Sequence, residues 1–221
     1  MQLVIGNKNY SSWSMRPWVL MRGLDIPFEE RKLSFTLGLG KGFREAVRAV
    51  SPAGRVPVLL DGDLAVWDSL AIAEYLHERF PERGVWPAAR AARAHARSLA
   101  AEMHAGFGAL RQHCPMNIEA SLPEAGARVL REQPAVQRDL ERIAEIFGAA
   151  RGPFLLGEFG AVDAFYAPVA LRLRSYALPV PPAAAAYAER LLAARGPAEW
   201  IADALEEHEW VAEDEPYRTR R

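Results

Sequence analysis

The sequence predicts an α/β plus all-α protein. A βαβαββα domain over residues 1–80 is followed by an all-helical domain over residues 88–221. Three observations carry this. Short β-rich runs alternate with helical patterns as far as Phe80, and no convincing strand follows. Asp61-Gly62-Asp63 joins two apolar runs as a hairpin turn. The connector at residues 81–87, with Gly84 and Trp86, marks the change of pattern.

The elements follow in order. Leu3-Val4-Ile5 is a β-rich run ended by Gly6. Residues 14–24 are helical in pattern, with Gly23 as the stop. Residues 28–35 set Phe28, Leu33 and Phe35 against Glu29, Glu30, Arg31 and Lys32 and read as a second strand. Residues 38–42 form a glycine-rich loop, and residues 43–50 a short helix ended by Ser51-Pro52-Ala53-Gly54. Residues 56–60 and 64–67 are the two arms of the hairpin. Asp68-Ser69 then caps a helix over residues 70–80, with Leu70, Ile72, Ala73 and Leu76 on one side. A parallel β-α-β start with a terminal hairpin gives a mixed four-stranded sheet covered by helices.

The second half reads as helices throughout. Residues 88–114 form one long helix, and residues 122–150 a helical stretch broken or kinked at Pro134. Residues 162–176 are helical despite Pro168, and residues 183–195 and 198–207 add two more helices. The charged tail from Ala212 is expected to fray.

Composition narrows the function. Half of the 221 residues are hydrophobic and a quarter are charged, the composition of a folded globular chain. The net charge of -1 gives no support to nucleic-acid binding, which usually rests on a basic excess. Of the 27 basic side chains, only Lys8, Lys32 and Lys41 are lysines, and the arginines spread evenly along the chain. The single cysteine, Cys114, excludes an internal disulfide, a Cys-rich zinc site and a Cys-x-x-Cys pair, and it fits a reducing compartment. No apolar run approaches the ~18 residues that span a bilayer, and the N-terminus has no basic leader with a long apolar stretch. The expectation is a cytoplasmic protein with no membrane partner. No His pair stands at i, i+4 and no carboxylates cluster, so no metal site is expected.

Three segments carry candidate chemistry. Pro57 begins a strand-like run, where a trans proline sits without cost; a cis bond would instead turn the Val56 N–H and C=O outward to pair with an extended peptide. Asp68-Ser69 is either a plain N-cap or a site for the zwitterionic end of an amino acid. In the second case the helix start and Ser69 take the carboxylate and Asp68 takes the amino group. In Tyr10-Ser11-Ser12-Trp13-Ser14-Met15-Arg16-Pro17, a first-turn Pro17 puts the cap near Trp13 or Ser14 and leaves Ser11 and Ser12 in the loop. These serines are either simple capping groups or hydroxyls that stabilise a thiolate beside a helix N-terminus.

Taken together these segments resemble the cytosolic glutathione transferase family, a thioredoxin-like domain followed by a helical one. Ser11-Ser12-Trp13-Ser14-Met15-Arg16 resembles the Ser-Ser-Cys-Ser-x-Arg signature of the zeta class, with Trp13 in the cysteine position. Ser51-Pro52-Ala53-Gly54-Arg55-Val56-Pro57 is similar to the family's Asn-Pro-x-x-x-Val-Pro segment, which ends in a cis-proline. Asp68-Ser69-Leu70-Ala71-Ile72 is similar to its Glu/Gln-Ser-x-Ala-Ile motif. The likeness spans residues 10–76 and fades in the second half. There Phe159-Gly160-Ala161-Val162-Asp163 partly matches the family's capping box, with Gly160 in the hydroxyl position. Asp163 is expected to be a buried structural residue.

The resemblance implies a glutathione transferase of the detoxification type, with glutathione as co-substrate and a hydrophobic electrophile as partner, working as a homodimer. Ser11 aligns with the serine usually credited with thiol activation, and Ser12 stands close behind it. Val56 would pair its backbone with the cysteinyl part, and Asp68 and Ser69 would hold the γ-glutamyl end. Arg55 and Lys41 are candidates for the glycyl carboxylate. Met103, His104, Phe107, Arg111 and His113 are candidates for the electrophile pocket, and Trp13 is expected in the core or on the cleft wall. The replaced cysteine weighs against zeta-type isomerisation. The alternatives are a glutathione-dependent cis-trans isomerase of the maleylacetoacetate type and a non-catalytic protein-binding relative like the stringent starvation proteins.

Overall fold

Val4 and its two neighbours, Leu3 and Ile5, are wholly buried. They lie on β1 (Gln2–Ile5), one of the two inner strands of a four-stranded sheet ordered β2-β1-β3-β4. The computed structural model describes residues 1–37 and 41–220, without the side chains of Leu37 and Lys41. Most of the predicted glycine loop and the candidate Lys41 side chain therefore lie outside the described residues.

The sheet is mixed, as the element order predicts. β2 (Glu29–Lys32) runs parallel to β1, with Leu3 opposite Glu30. β3 (Val58–Asp61) runs antiparallel, with Leu3 opposite Leu59, and β4 (Leu64–Val66) closes the hairpin. Alternation along the strands divides the core. Leu3, Ile5 and Leu59 face α1 (Ser12–Gly23) and α3 (Ser69–Arg79). Val4 and Val58 face Phe43 and Val47 of α2 (Lys41–Arg48). The second strand is shorter than the pattern suggested. Only the charged Glu29–Lys32 pair with β1, all four exposed, as befits an edge strand. Phe35 leaves the sheet for a short 3₁₀ turn and packs edge-on against Phe43, with ring centroids 4.9 Å apart.

Helices make up the rest. They are α4 (Arg90–Ala105), α5 (Gly108–His113), α6 (Pro123–Glu132), α7 (Pro134–Gly148), α8 (Ala161–Ser175), α9 (Pro182–Ala193) and α10 (Arg195–Glu207). Pro134 opens α7 at its first position, where the missing N–H costs nothing. The long helix expected over residues 88–114 is instead two helices, because Gly106 ends α4 and Phe107 takes a left-handed φ of 52°. α8 is buried along nearly its whole length. Asp163 has the structural place expected of it. Its carboxylate accepts from the N–H groups of Leu155 (3.0 Å) and Gly160 (3.1 Å) and from the Tyr187 hydroxyl (2.7 Å).

The expected fraying of the tail is also corrected. Residues 208–218 pack back onto the protein, with Val211 and Glu215 buried and the Tyr217 hydroxyl donating to the His113 carbonyl at 2.6 Å. Lys8, in the turn after β1, is bonded through its carbonyl to Trp200 Nε1 (3.0 Å) and through its N–H to Glu207 (2.8 Å). The α/β and helical parts thus share one continuous apolar core, which runs from Leu3 through Trp18 to Trp200.

Candidate functional site

Ser11 is the N-cap of α1, and Ser12 is its first residue. The helix therefore starts earlier than the proline argument placed it. Pro17 lies in the second turn, where it removes the bond that would reach the Trp13 carbonyl. The cap is bonded on both sides. Ser11 Oγ accepts from the Ser14 N–H (3.4 Å) and donates to Ser14 Oγ (2.7 Å), which in turn accepts from the Gly6 N–H (3.1 Å). Ser12 is half-exposed, and its hydroxyl has no protein partner among the described residues.

Both serines open onto a cavity of about 890 Å³ between the sheet domain and the helices. Arg55 and Val56 line the same cavity. The Val56–Pro57 peptide bond is cis. Among the described residues neither the Val56 N–H nor its C=O is engaged by another group. The first-turn N–H groups of α1 give this corner a positive potential.

Asp68 and Ser69 flank the cavity and are not part of its wall. Asp68 caps α3 by accepting from the Leu70 N–H at 2.8 Å. Ser69 is completely buried, and its Oγ has no partner. A buried hydroxyl left unpaired is costly. Asp68 joins the cavity wall through two neighbours: its carboxylate lies 3.1 Å from His104 Nε2, and His104 stacks edge-on against Trp13 at 5.1 Å. Trp13 lines the cleft. The Arg16 guanidinium stands 4.0 Å and that of Arg111 4.9 Å from its ring centroid.

Of the expected electrophile-pocket residues, Arg111 reaches the cavity. Met103 and Phe107 are buried in the core. The break at Gly106–Phe107 is the reason. It re-aims α5 and brings Gly108, Arg111 and Gln112 to the wall in place of the continuing face of α4.

Sequence reasoning missed the electrostatic character of the cleft. Among the described residues, Arg44, Arg48, Arg55, Arg111 and Arg172 all line it, against one acid, Asp214. Beneath them Arg16 is 1% exposed with Nε and Nη1 unpartnered. Burial, with Arg172 and Arg111 adding repulsion, lowers its pKa to about 9, so it remains a cation at neutral pH. Arg172 is lowered to about 10 by burial and by Arg111, and it is held by the Cys114 carbonyl (2.8 Å) and the Pro168 carbonyl (3.1 Å). Cys114 is buried, and its thiol is pushed up to about 12 by that burial, which makes it unreactive. Among the described residues no group of three or more His, Cys, Asp or Glu side chains is arranged to hold a metal, and no helix is long and apolar enough to cross a membrane.

Comparison with known proteins adds the following. The family described as glutathione S-transferase, N-terminal domain, matches residues 10–79. The Coxiella burnetii stringent starvation protein A homolog is 31% identical over 136 residues, 62% of this chain and 61% of that protein. Glutathione S-transferase Z1 of Arabidopsis thaliana is 34% identical over 86 residues, 36% of this chain and 37% of that protein. The chain thus spans less than two thirds of the length of these curated relatives. A Burkholderia glutathione transferase homolog solved with bound glutathione superposes with a TM-score of 0.69 at 26% identity, over 93% of this chain and 98% of that one.

Proposed function

We propose, for a chain that belongs to the glutathione transferase family, that it binds glutathione in the 890 Å³ cleft and activates its thiol for attack on an electrophilic carbon. The observation that carries this reading is the meeting in one cleft of the α1 N-terminus, with its two serines, and the unpaired Val56 backbone. In this reading Val56 pairs with the cysteinyl residue. The unpartnered Ser69 hydroxyl and Asp68 take the carboxylate and amino group of the γ-glutamyl end. Arg55 takes the glycyl carboxylate, with Lys41 the other candidate. Ser12 donates to the sulfur, because the Ser11 hydroxyl is already committed to Ser14. The thiol proton leaves to solvent, and the sulfur lone pair forms the new C–S bond as the electrophile's leaving group departs with its bonding pair or, on addition to an activated C=C, as the π pair shifts to the neighbouring carbonyl and is protonated from solvent. A hydroxyl donor and a helix N-terminus both favour the thiolate.

The second substrate is an electrophile that meets Trp13 and Met116 on the apolar side and Arg111 and Arg172 on the charged side. These two cations favour an electrophile with a carboxylate, and they support a second reading. In that reading the thiolate adds to a cis-enone diacid, a single bond rotates, and the thiolate is expelled, so no glutathione is consumed. Product analysis separates the two: conjugation leaves a thioether, and isomerisation returns the tripeptide. The 136-residue likeness to a stringent starvation protein A homolog supports a third, non-catalytic role. Titration calorimetry with glutathione, followed by assay against carboxylate-bearing electrophiles, decides among them. Saturable uptake without turnover favours the third reading, and no uptake refutes the glutathione site.

We also place this protein in the cytoplasm, where a lone buried thiol stays reduced, and pair it with a second copy. Leu64 is 48% and Trp67 42% exposed on and beside the edge strand β4, and an apolar edge of this kind is normally covered.

A further inference from the structure

Four residues precede the serine pair, and the far end of the chain holds each of them. Asn7 Nδ2 donates to Glu209 Oε2 at 2.7 Å. The N–H groups of Lys8 and Asn9 donate to the two oxygens of Glu207, at 2.8 and 3.2 Å. The Tyr10 hydroxyl donates to Glu215 Oε1 at 2.7 Å. The serines hang from this turn by their own backbone. The Ser11 N–H donates to the Asn7 carbonyl (2.8 Å) and the Ser12 N–H to the Tyr10 carbonyl (2.9 Å).

Glu215 is the least accessible of the three glutamates in this clasp, its side chain 1% exposed. Arg218 donates to both of its oxygens, through Nε at 2.8 Å and through Nη2. Tyr217, two residues after Glu215, is fixed to α5 through the His113 carbonyl. Asp214, the residue before Glu215, lines the cleft together with Tyr10, Ser11 and Ser12. The tail is thus braced on one side by α5 and pressed on the other against the turn that carries the hydroxyls.

We propose that Glu215 is a positioning residue for thiol activation, and that the tail segment 208–218 belongs to the catalytic site. By holding Tyr10 it fixes the turn on which Ser11 and Ser12 are mounted. This rests on the glutathione reading above. A hydroxyl stabilises a thiolate only at hydrogen-bond distance, and a misplacement of about 1 Å weakens such a contact severely. Removing the carboxylate takes from the Tyr10 hydroxyl its 2.7 Å acceptor, with the Glu209 carbonyl at 3.4 Å a weaker substitute, and takes from Arg218 the carboxylate it holds with two nitrogens.

The test uses the full chain with Glu215→Ala, Glu215→Gln and Tyr10→Phe. Glutathione binding is measured by calorimetry, and the pKa of the bound thiol by the ultraviolet absorbance of the thiolate. Glu215→Ala and Tyr10→Phe are expected to raise that pKa by about one unit, about tenfold less thiolate at a fixed pH below it. The dissociation constant should stay within about threefold. Glu215→Gln keeps an oxygen for Tyr10 and should restore most of the lost thiolate. A bound-thiol pKa within about 0.2 units of the parent in both Glu215→Ala and Tyr10→Phe overturns the positioning role, whatever happens to the melting temperature. Should Glu215→Ala not fold, Tyr10→Phe, which loses one hydroxyl, decides alone. If the unmodified protein takes up no glutathione, the glutathione reading falls and this role with it; uptake with an unmoved pKa overturns this role by itself.

Discussion

The Asp68 carboxylate and His104 Nε2 stand 3.1 Å apart and tie the start of α3 to the end of α4. The group proposed to read an amino group therefore already has a partner from the helical part. Burial lowers the His104 pKa, Arg16 and Arg111 add to the effect, and Asp68 opposes it, so the imidazole is neutral at pH 7. Asp68→Ala should weaken glutathione binding by about tenfold or more, and His104→Ala by less than about threefold at neutral pH. Protonation in acid turns His104 into a rival cation for Asp68. Affinity measured calorimetrically near pH 5 should fall relative to about pH 7.5 in the parent, and His104→Ala should lessen that fall.

The two serines differ in what they already hold. Ser12→Ala should raise the bound-thiol pKa by about one to two units with little change in stability. Ser11→Ala removes the α1 cap and should cost about 1 kcal/mol of folding stability. Thiolate absorbance against pH and urea unfolding read the two effects separately. Equal pKa shifts in both variants would refute the assignment to Ser12.

Gly196 lets α10 approach α1. A Cβ there would lie 2.3 Å from the Val19 carbonyl oxygen, a backbone atom held by its own helix. Gly196→Ala should destabilise the protein by about 1–3 kcal/mol, the cost of an overpacked contact. Gly148→Ala, whose Cβ meets nothing within 4 Å, is the control. It should leave stability within about 0.5 kcal/mol or raise it. Both are read by urea denaturation.

Asp214 gives the protein a distinctive pH dependence. Burial, then Glu213 and Glu215, push its carboxyl up to about 6. The folded state therefore holds this proton more tightly than the unfolded chain. The stability it contributes is full below pH 4 or so and is lost as the pH rises through about 6. Asp214→Asn should be more stable than the parent above that pH by about 1 kcal/mol, after allowance for solvent screening. It should also flatten the parent's decline between about pH 4 and 7. Parallel stability curves for the two proteins would contradict the assignment.

What could be read from the sequence was local. The strand runs, the Asp61-Gly62-Asp63 turn, the Asp68 cap and the Asp163 cap each depend on a few adjacent residues, and each is found, with the second strand shortened to Glu29–Lys32. The arginine-lined cleft depends instead on where α2, α5 and α8 come to rest against one another, so Arg44, Arg48 and Arg172 gave no local sign. Two misses did leave a trace. Gly106 inside a helical pattern marked the break between α4 and α5. Trp210, Val211 and Tyr217, set among the charges of the tail, marked a segment with something to bury.

The bonds from Lys8 to Trp200 and Glu207 join positions about two hundred residues apart in the chain. During vectorial synthesis the first strand and first helix leave the ribosome long before those partners exist. The first eighty residues must therefore wait, the turn that carries Ser11 and Ser12 unanchored, until α10 emerges. Contacts of such long sequence separation slow folding, and they leave any prematurely terminated product without the activity proposed for the whole.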